Sequence, residues 1–260
     1  MTRPARMLAL LATFAAMLSI SACDLVAHLF PSKAQKGQIE MVRADNSESM
    51  MDAAKLDAIV ITVTQNGVVY LGHERVDPSQ LEGMVRDRLA DRVDKTIYLL
   101  ADARAPYRAV EQVVDEARAA GVDVAGLLTQ KKGGAYNQKY SACCEAPRIA
   151  MGLEVIIPSS SMRQSIRTME QNPNESRPIV LQVLYHTGAP PAYKINVDDV
   201  QKTELLSKLN AIYQTRAERI LFIKADDDIN FSVVAEMIDI ARSAGVDHVA
   251  LLTPATTASQ

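Results

Sequence analysis

Two hydrophobic periodicities alternate along this chain, and the alternation occurs twice. Residues 97–100 form an unbroken apolar run, as expected of a strand buried on both faces. Residues 102–106 interrupt it, and Pro106 stands where the first turn of a helix accepts proline. Tyr107, Val110, Val113, Val114 and Ala117 then recur at helical spacing, which makes one face apolar. Gly121 supplies the left-handed residue that ends a helix, and 122–128 returns as a second strand. A strand, helix and strand of this length predict a parallel, right-handed crossover. The unit at 96–129 comes back without a gap at 220–253, with Gly121 recurring as Gly245, an offset of 124. Asp102, Tyr107 and Asp115 correspond to Asp226, Phe231 and Asp239, and Leu127-Leu128-Thr129 to Leu251-Leu252-Thr253. Apolar spacing alone would not keep the aspartates and the closing Leu-Leu-Thr in register. The chain is an internal duplication.

The flanking patterns extend each copy. In the first, β-branched 58–64 predicts a strand, Asn66-Gly67 a hairpin turn, and 68–71 its returning partner. Asp77-Pro78 opens a helix over 79–92, with Leu81, Met84, Val85 and Leu89 inward. In the second copy, 179–185 and 192–197 are the paired strands, and Asp198 or Asp199 caps a helix through Tyr213. The expected fold class is α+β, in two tandem β-β-α-β-α-β domains at 56–130 and 178–254. Each is a small mixed sheet with two helices on one face. Between them, 131–177 reads as a linker holding the adjacent pair Cys143-Cys144 and a short apolar run at 153–157, a candidate edge strand. Residues 255–260 are a tail.

The start of the chain has a different logic. Arg3 and Arg6 precede an apolar run at 7–22 that closes on Ile20-Ser21-Ala22-Cys23, the layout of an export signal. The ending resembles a bacterial lipobox, which implies cleavage before Cys23, lipidation of that cysteine and a signal peptide at 1–23. Several acyl chains anchor a protein where one binds only marginally. The alternative is an uncleaved membrane helix over 7–30 that admits Asp24 and His28 near its outer end. Both readings place the rest of the chain outside the cytoplasm. Residues 24–55 are polar and weakly periodic and read as a tether.

Composition narrows the function classes. With 260 residues, 48% of them hydrophobic and 23% charged, the chain has room for about two small domains. A net charge of −3 leaves no electrostatic footprint for nucleic acid. Three cysteines and four histidines fall in no metal-ligand spacing, so neither metal nor other cofactor is expected. No serine, cysteine or carboxylate pair has a base at useful spacing, so catalysis is not expected and no catalytic residue is assigned.

The motif Ala101-Asp102, Tyr107, Val114-Asp115 and Ala120-Gly121-Val122, repeated as Ala225-Asp226, Phe231, Asp239 and Gly245-Val246, resembles the periplasmic domain of the ExbD/TolR family. Those proteins are small subunits of proton-driven inner-membrane motors. The resemblance implies biopolymer transport, an ExbB/TolQ-like motor partner, and a dimer. In this chain the dimer becomes either a homodimer or an intramolecular pseudo-dimer of the two copies. The family's membrane helix carries an aspartate near the start of its apolar run; here 7–22 contains no acid and Asp24 follows the run. A carboxylate at the interface lacks the desolvated setting that moves a pKa toward neutrality. Three readings follow: an envelope-anchored accessory acting through partner binding, a membrane-spanning transport subunit, and a lipoprotein binding module without a motor.

The repeated residues carry competing local readings. Asp102 and Asp226 are expected to cap the following helix or to touch a partner. Asp115 and Asp239 are expected to pair with Arg118 and Arg242, three residues on. Asp226-Asp227-Asp228 reads as a turn, with a cation site as the alternative. Outside the cytoplasm Cys143 and Cys144 are disulfide candidates, as a vicinal or an intermolecular bridge. The exposed edge strands are candidates for strand addition by a partner.

Overall fold

The computed structural model describes residues 38–133, 140–141, 150–159 and 178–253. The described residues belong to one compact unit that begins at Gln38. Before the first copy come three two-residue strands, β1 (Gln38–Ile39), β2 (Arg43–Ala44) and β3 (Glu48–Ser49), then a single 3-10 turn at Met51–Ala54. The first copy comprises β4 (Val60–Val63), β5 (Val69–Leu71), β6 (Glu74–Val76), α1 (Pro78–Leu89), β7 (Thr96–Ala101), α2 (Tyr107–Ala119) and β8 (Val124–Lys131). Two strands follow, β9 (Tyr140–Ser141) and β10 (Met151–Ile156). The second copy holds β11 (Ile179–Leu184), β12 (Ala192–Ile195), β13 (Asp198–Val200), α3 (Leu205–Tyr213), β14 (Ile220–Ala225), α4 (Phe231–Ser243) and β15 (His248–Leu251).

The expected local elements form for the expected reasons. Asp77 accepts the backbone N–H of Ser79 at 3.0 Å and Pro78 takes the first helical position of α1. Gly67, Gly121 and Gly245 have φ of 75°, 92° and 76°, a region where a side chain is strained. β4 and β7 pair in parallel, as do β7 and β8, so α2 is the crossover; β11, β14 and β15 repeat this around α4. One expectation fails locally: Asp198 and Asp199 lie in β13, antiparallel to β12, and cap nothing. Asn196 adopts φ 56° and turns the chain back as a hairpin, while its carboxamide oxygen accepts the Val180 N–H at 2.8 Å.

The two copies share a single 13-stranded mixed sheet. Its order, β13-β12-β11-β14-β15-β10-β8-β7-β4-β5-β6, reads as the same motif from either end, with β10 in the middle. The apolar run expected at an edge is therefore interior. β10 pairs antiparallel with β8 from Val124 to Thr129 and meets β15 in parallel at Ile156 and Ala250. An apolar strand between two apolar strands removes the exposed ladders that each copy alone would present to water. The helices bury Leu81, Val85, Val110, Val114, Leu209, Val234 and Ile238 in one core against Leu99, Leu127, Leu181 and Ile223 of the sheet.

Residues 38–54, expected to be part of a polar tether, are instead a strap laid over the first copy. Ile39, Met41, Val42, Ala44 and Ala53 are buried, while the intervening Glu40, Arg43 and Asp45 face water. Val42 and Ala44 join the helix-side core, and Ile39, Met41 and Ala53 cover Tyr98, Leu100 and Leu128 on the opposite face. The polar letters set the segment's average, yet alternate residues carry the packing. β2 adds in parallel to β8, pairing Arg43 with Gln130 and Ala44 with Lys131. Further on, Met50 rests in a notch over Gly126 and Gly152; a Cβ at Gly152 would lie 2.4 Å from the Met50 sulfur and 2.6 Å from the Leu127 carbonyl oxygen.

Candidate functional site

The two copies meet at the N-termini of their crossover helices. A helix begins with backbone N–H groups that have no acceptor within the helix, and neither α2 nor α4 receives a side-chain cap. Pro106 and Asn230 precede these helices in extended conformation, φ/ψ −65°/136° and −66°/138°, and face each other as an antiparallel bridge. Tyr107 N–H donates to the Ile229 carbonyl at 2.7 Å, and Phe231 N–H to that of Ala105 at 2.9 Å. Arg108 N–H donates to the Asp227 carbonyl at 3.1 Å, and Ser232 N–H to that of Ala103 at 2.9 Å. Each bond becomes its counterpart when 124 is added to one residue and subtracted from the other. This reciprocity is the signature of a pseudo-two-fold axis through the junction, with each helix capped by the other copy's turn. Tyr107 and Phe231 are fully buried beside it.

Asp102 and Asp226 are thus not helix caps, because backbone carbonyls of the opposite copy already fill that role. Asp102 is fully buried and accepts the Glu40 N–H of the strap at 3.0 Å, the Arg104 N–H at 2.9 Å and the Arg104 guanidinium at 3.0 and 3.1 Å. Burial pushes its carboxyl up, but Arg104 and the two N–H donors outweigh that and hold it below the usual carboxylate range. Asp226 accepts the Tyr185 N–H at 2.8 Å and so ties β14 to β11.

Away from the axis the symmetry breaks. Asp115 pairs with Arg118 at 2.8 Å, as the spacing suggests, and also reaches the hydroxyl of Thr253 in the second copy. Its counterpart Asp239 does not pair with Arg242. Asp239 accepts the N–H groups of Asp45 and Asn46 at 2.9 and 2.8 Å, the Asn46 amide at 2.8 Å, and Lys132 at 3.4 Å. Burial raises the Asp239 carboxyl, yet those donors win and depress it. Thr129, where the symmetric partner of Asp239 would be, bonds instead to Ser47 at 2.7 Å. The strap has therefore inserted between two groups that touch directly in the other half. Arg242 turns to the carbonyl of Glu154 on β10 at 2.8 Å.

Glu111 has no counterpart, since Ala235 occupies the matching position. It is 4% exposed and borders a cavity of about 530 Å³ with Tyr185, Lys224 and Asp226 to Asp228. Burial, with the charges of Asp227 and Asp115, pushes its carboxyl up to about 8. Nothing in the helical pattern marks it, because its position on α2 is an ordinary inward one beside Val110 and Val114. Arg108 forms an exposed ion pair with Asp228 across the junction. His73, His186 and His248 are exposed. Among the described residues no group of three or more His, Cys, Asp or Glu is placed to hold a metal ion. Cys23, Asp24, Cys143 and Cys144 lie outside the described residues.

The family model described as Biopolymer transport protein ExbD/TolR matches residues 7–132 and again 146–256. The chain belongs to the ExbD/TolR family. Members are envelope-associated transport proteins rather than enzymes, and they work with ExbB/TolQ-type partners. The two matches correspond to the two halves of the 13-stranded sheet, so this ExbD/TolR protein is a tandem duplicate. No curated relative matches the chain. Among the described residues no helix is long and apolar enough to cross a membrane.

Proposed function

We propose that this protein is an envelope-anchored component of a proton-motive-force-driven biopolymer transport complex, and that it acts by binding partners rather than by conducting protons. The observation that supports this reading is the reciprocal capping at 105–108 and 229–232. Two family domains that would otherwise assemble from separate chains are joined as a covalent pseudo-dimer, so one anchor presents a whole dimeric platform. Fusion makes association intramolecular and independent of concentration. It also lets the halves diverge: the strap sits on one, and the acidic cavity beside Glu111 opens on the other. The partner is an ExbB/TolQ-type membrane protein, the anchor is a lipidated Cys23, and the location is the periplasmic side of the membrane. The absence of an acid in 7–22 supports an accessory role over a proton path. Solubilising the tagged chain from its native envelope and identifying what co-purifies tests this; the absence of any ExbB/TolQ-type protein from the complex would refute the motor assignment.

One observation favours a second reading of the anchor. The family match opens at residue 7 and so takes in the apolar run. A retained helix at 7–30 would make the chain a membrane-spanning subunit. Intact mass of the purified protein separates the two: an acylated N-terminal Cys23 supports the lipoprotein, and a retained Met1 the helix.

A further inference from the structure

Glu111 is the buried titratable group that the capping junction leaves unused. It projects from α2 toward the second copy, 4% exposed, and no hydrogen bond or ion pair to it forms among the described residues. The groups facing it are Tyr107 and Asp115 on its own helix, Lys224 on β14, and Asp226 and Asp227 in the turn that follows. Two of these charges are already answered in part: Asp115 pairs with Arg118, and the carboxylate of Asp226 accepts the Tyr185 N–H. Asp228 on the rim pairs with Arg108. Lys224 is exposed and forms no ion pair with any of these acids.

The matching corner of the other half of the pseudo-dimer is lined differently, by the strap, Ala103 and Arg104 around a cavity of about 710 Å³. There Ala235 replaces Glu111, Ala103 and Arg104 replace Asp227 and Asp228, and the strap runs past Asp102 with Val42 buried in the core. On the second half none of the described residues takes the strap's place, and the corner is the cavity of about 530 Å³.

We propose that this cavity is a binding site for an organic cation, an alkylammonium or guanidinium group, with Glu111 at its floor and Asp227 and Asp228 at its rim. A compact metal ion does not suit it, because among the described residues no three of these acids are placed to hold one. An extended cation does. Its stem would lie on Leu252 and its head would face the Tyr185 ring, which leaves about half of that side chain to water. The volume falls in the range of small-molecule and side-chain pockets. This site rests on the pseudo-dimeric arrangement and not on the transport assignment, so the two can fail separately.

Occupancy has a proton signature. With its carboxyl pushed up to about 8, Glu111 carries a proton in about nine of ten molecules at pH 7. A cation placed beside it favours the ionised form, so binding expels that proton. Titrating the full-length protein with methylguanidinium or butylammonium, by calorimetry at pH 7 in two buffers of different ionisation enthalpy, should give saturable binding with a release approaching one proton. Glu111→Gln should weaken binding about tenfold or more and abolish the release, and Asp228→Asn should weaken it less. A neutral peptide carrying one arginine, acetyl-Gly-Arg-Gly-amide, separates the sources: tighter binding than methylguanidinium points to the side chain of a protein partner, equal binding to a free small cation. Absence of saturable binding, unchanged affinity in Glu111→Gln, or binding without proton release overturns the proposal. Should Glu111→Gln melt abnormally, the two-buffer measurement on the unaltered chain decides alone.

Discussion

Removing the Asp239 carboxylate tests whether the strap at 38–54, laid over the first copy, is clasped to the second. In the native protein this buried group accepts the N–H groups of Asp45 and Asn46, the Asn46 side chain, and Lys132. Asp239→Ala leaves two backbone donors without an acceptor, at about 1–3 kcal/mol each if they stayed buried. The strap can escape part of that by detaching and rehydrating, so the expected net loss is about 3 kcal/mol. For a domain of this size that corresponds to a fall in melting temperature of roughly 6–12 °C. Denaturant melts give the magnitude, and amide hydrogen exchange gives the place: protection at Asp45 and Asn46 should fall by about two orders of magnitude, and protease should cut within 38–54. Asp115→Ala is the internal control, because among the described residues its carboxylate meets Thr253 and the neighbouring Arg118 and no part of the strap. It should cost about 1 kcal/mol and leave the strap protected. Wild-type protection at Asp45 and Asn46 in the Asp239 variant, or an equal loss in the Asp115 variant, would refute the clasp.

The Tyr107 hydroxyl is buried without a hydrogen-bond partner among the described residues, and Phe231 fills the symmetric position, so Tyr107→Phe should be neutral or stabilising by about 1 kcal/mol in a denaturant melt. Gly152→Ala would drive a methyl into the Met50 sulfur and the Leu127 carbonyl and should destabilise by about 2 kcal/mol; Met50→Ala in the same chain should recover part of this, since the strap contact is then relieved. Stability should fall at both ends of the pH scale. Glu111 is raised from 4.5 to about 8, so the fold prefers its neutral form, and the stability it confers below pH 4.5 is lost as pH rises toward 8. Asp102 and Asp239 are depressed, so their contribution is present above the ordinary carboxylate pKa and is lost as pH falls through their lower native values. Glu111→Gln should flatten the alkaline limb of stability against pH and leave the acid limb unchanged.

What the sequence determined by itself was everything that depends on neighbours along the chain. Helical spacing at Tyr107, Val110, Val114 and Ala117, the glycines at 121 and 245, and the Asp77-Pro78 start specify their elements locally. The offset of 124 likewise exposed the duplication, because a repeat preserves its letters whatever the fold does. Tertiary structure decided how the copies join. Nothing in Leu153 or Val155 says whether their strand sits at an edge or between two others, since an apolar run suits either place. Asp102 looks like a helix cap by position, and only the arrival of the other copy's carbonyls at Tyr107 and Arg108 frees it for the strap. The strap itself was hidden because five buried residues among polar ones do not raise a segment's average. Asp115 and Asp239 carry the same letter in the same motif and yet hold different partners. A side chain's role is fixed by what approaches it across a hundred residues or more, and that is information the local pattern does not contain.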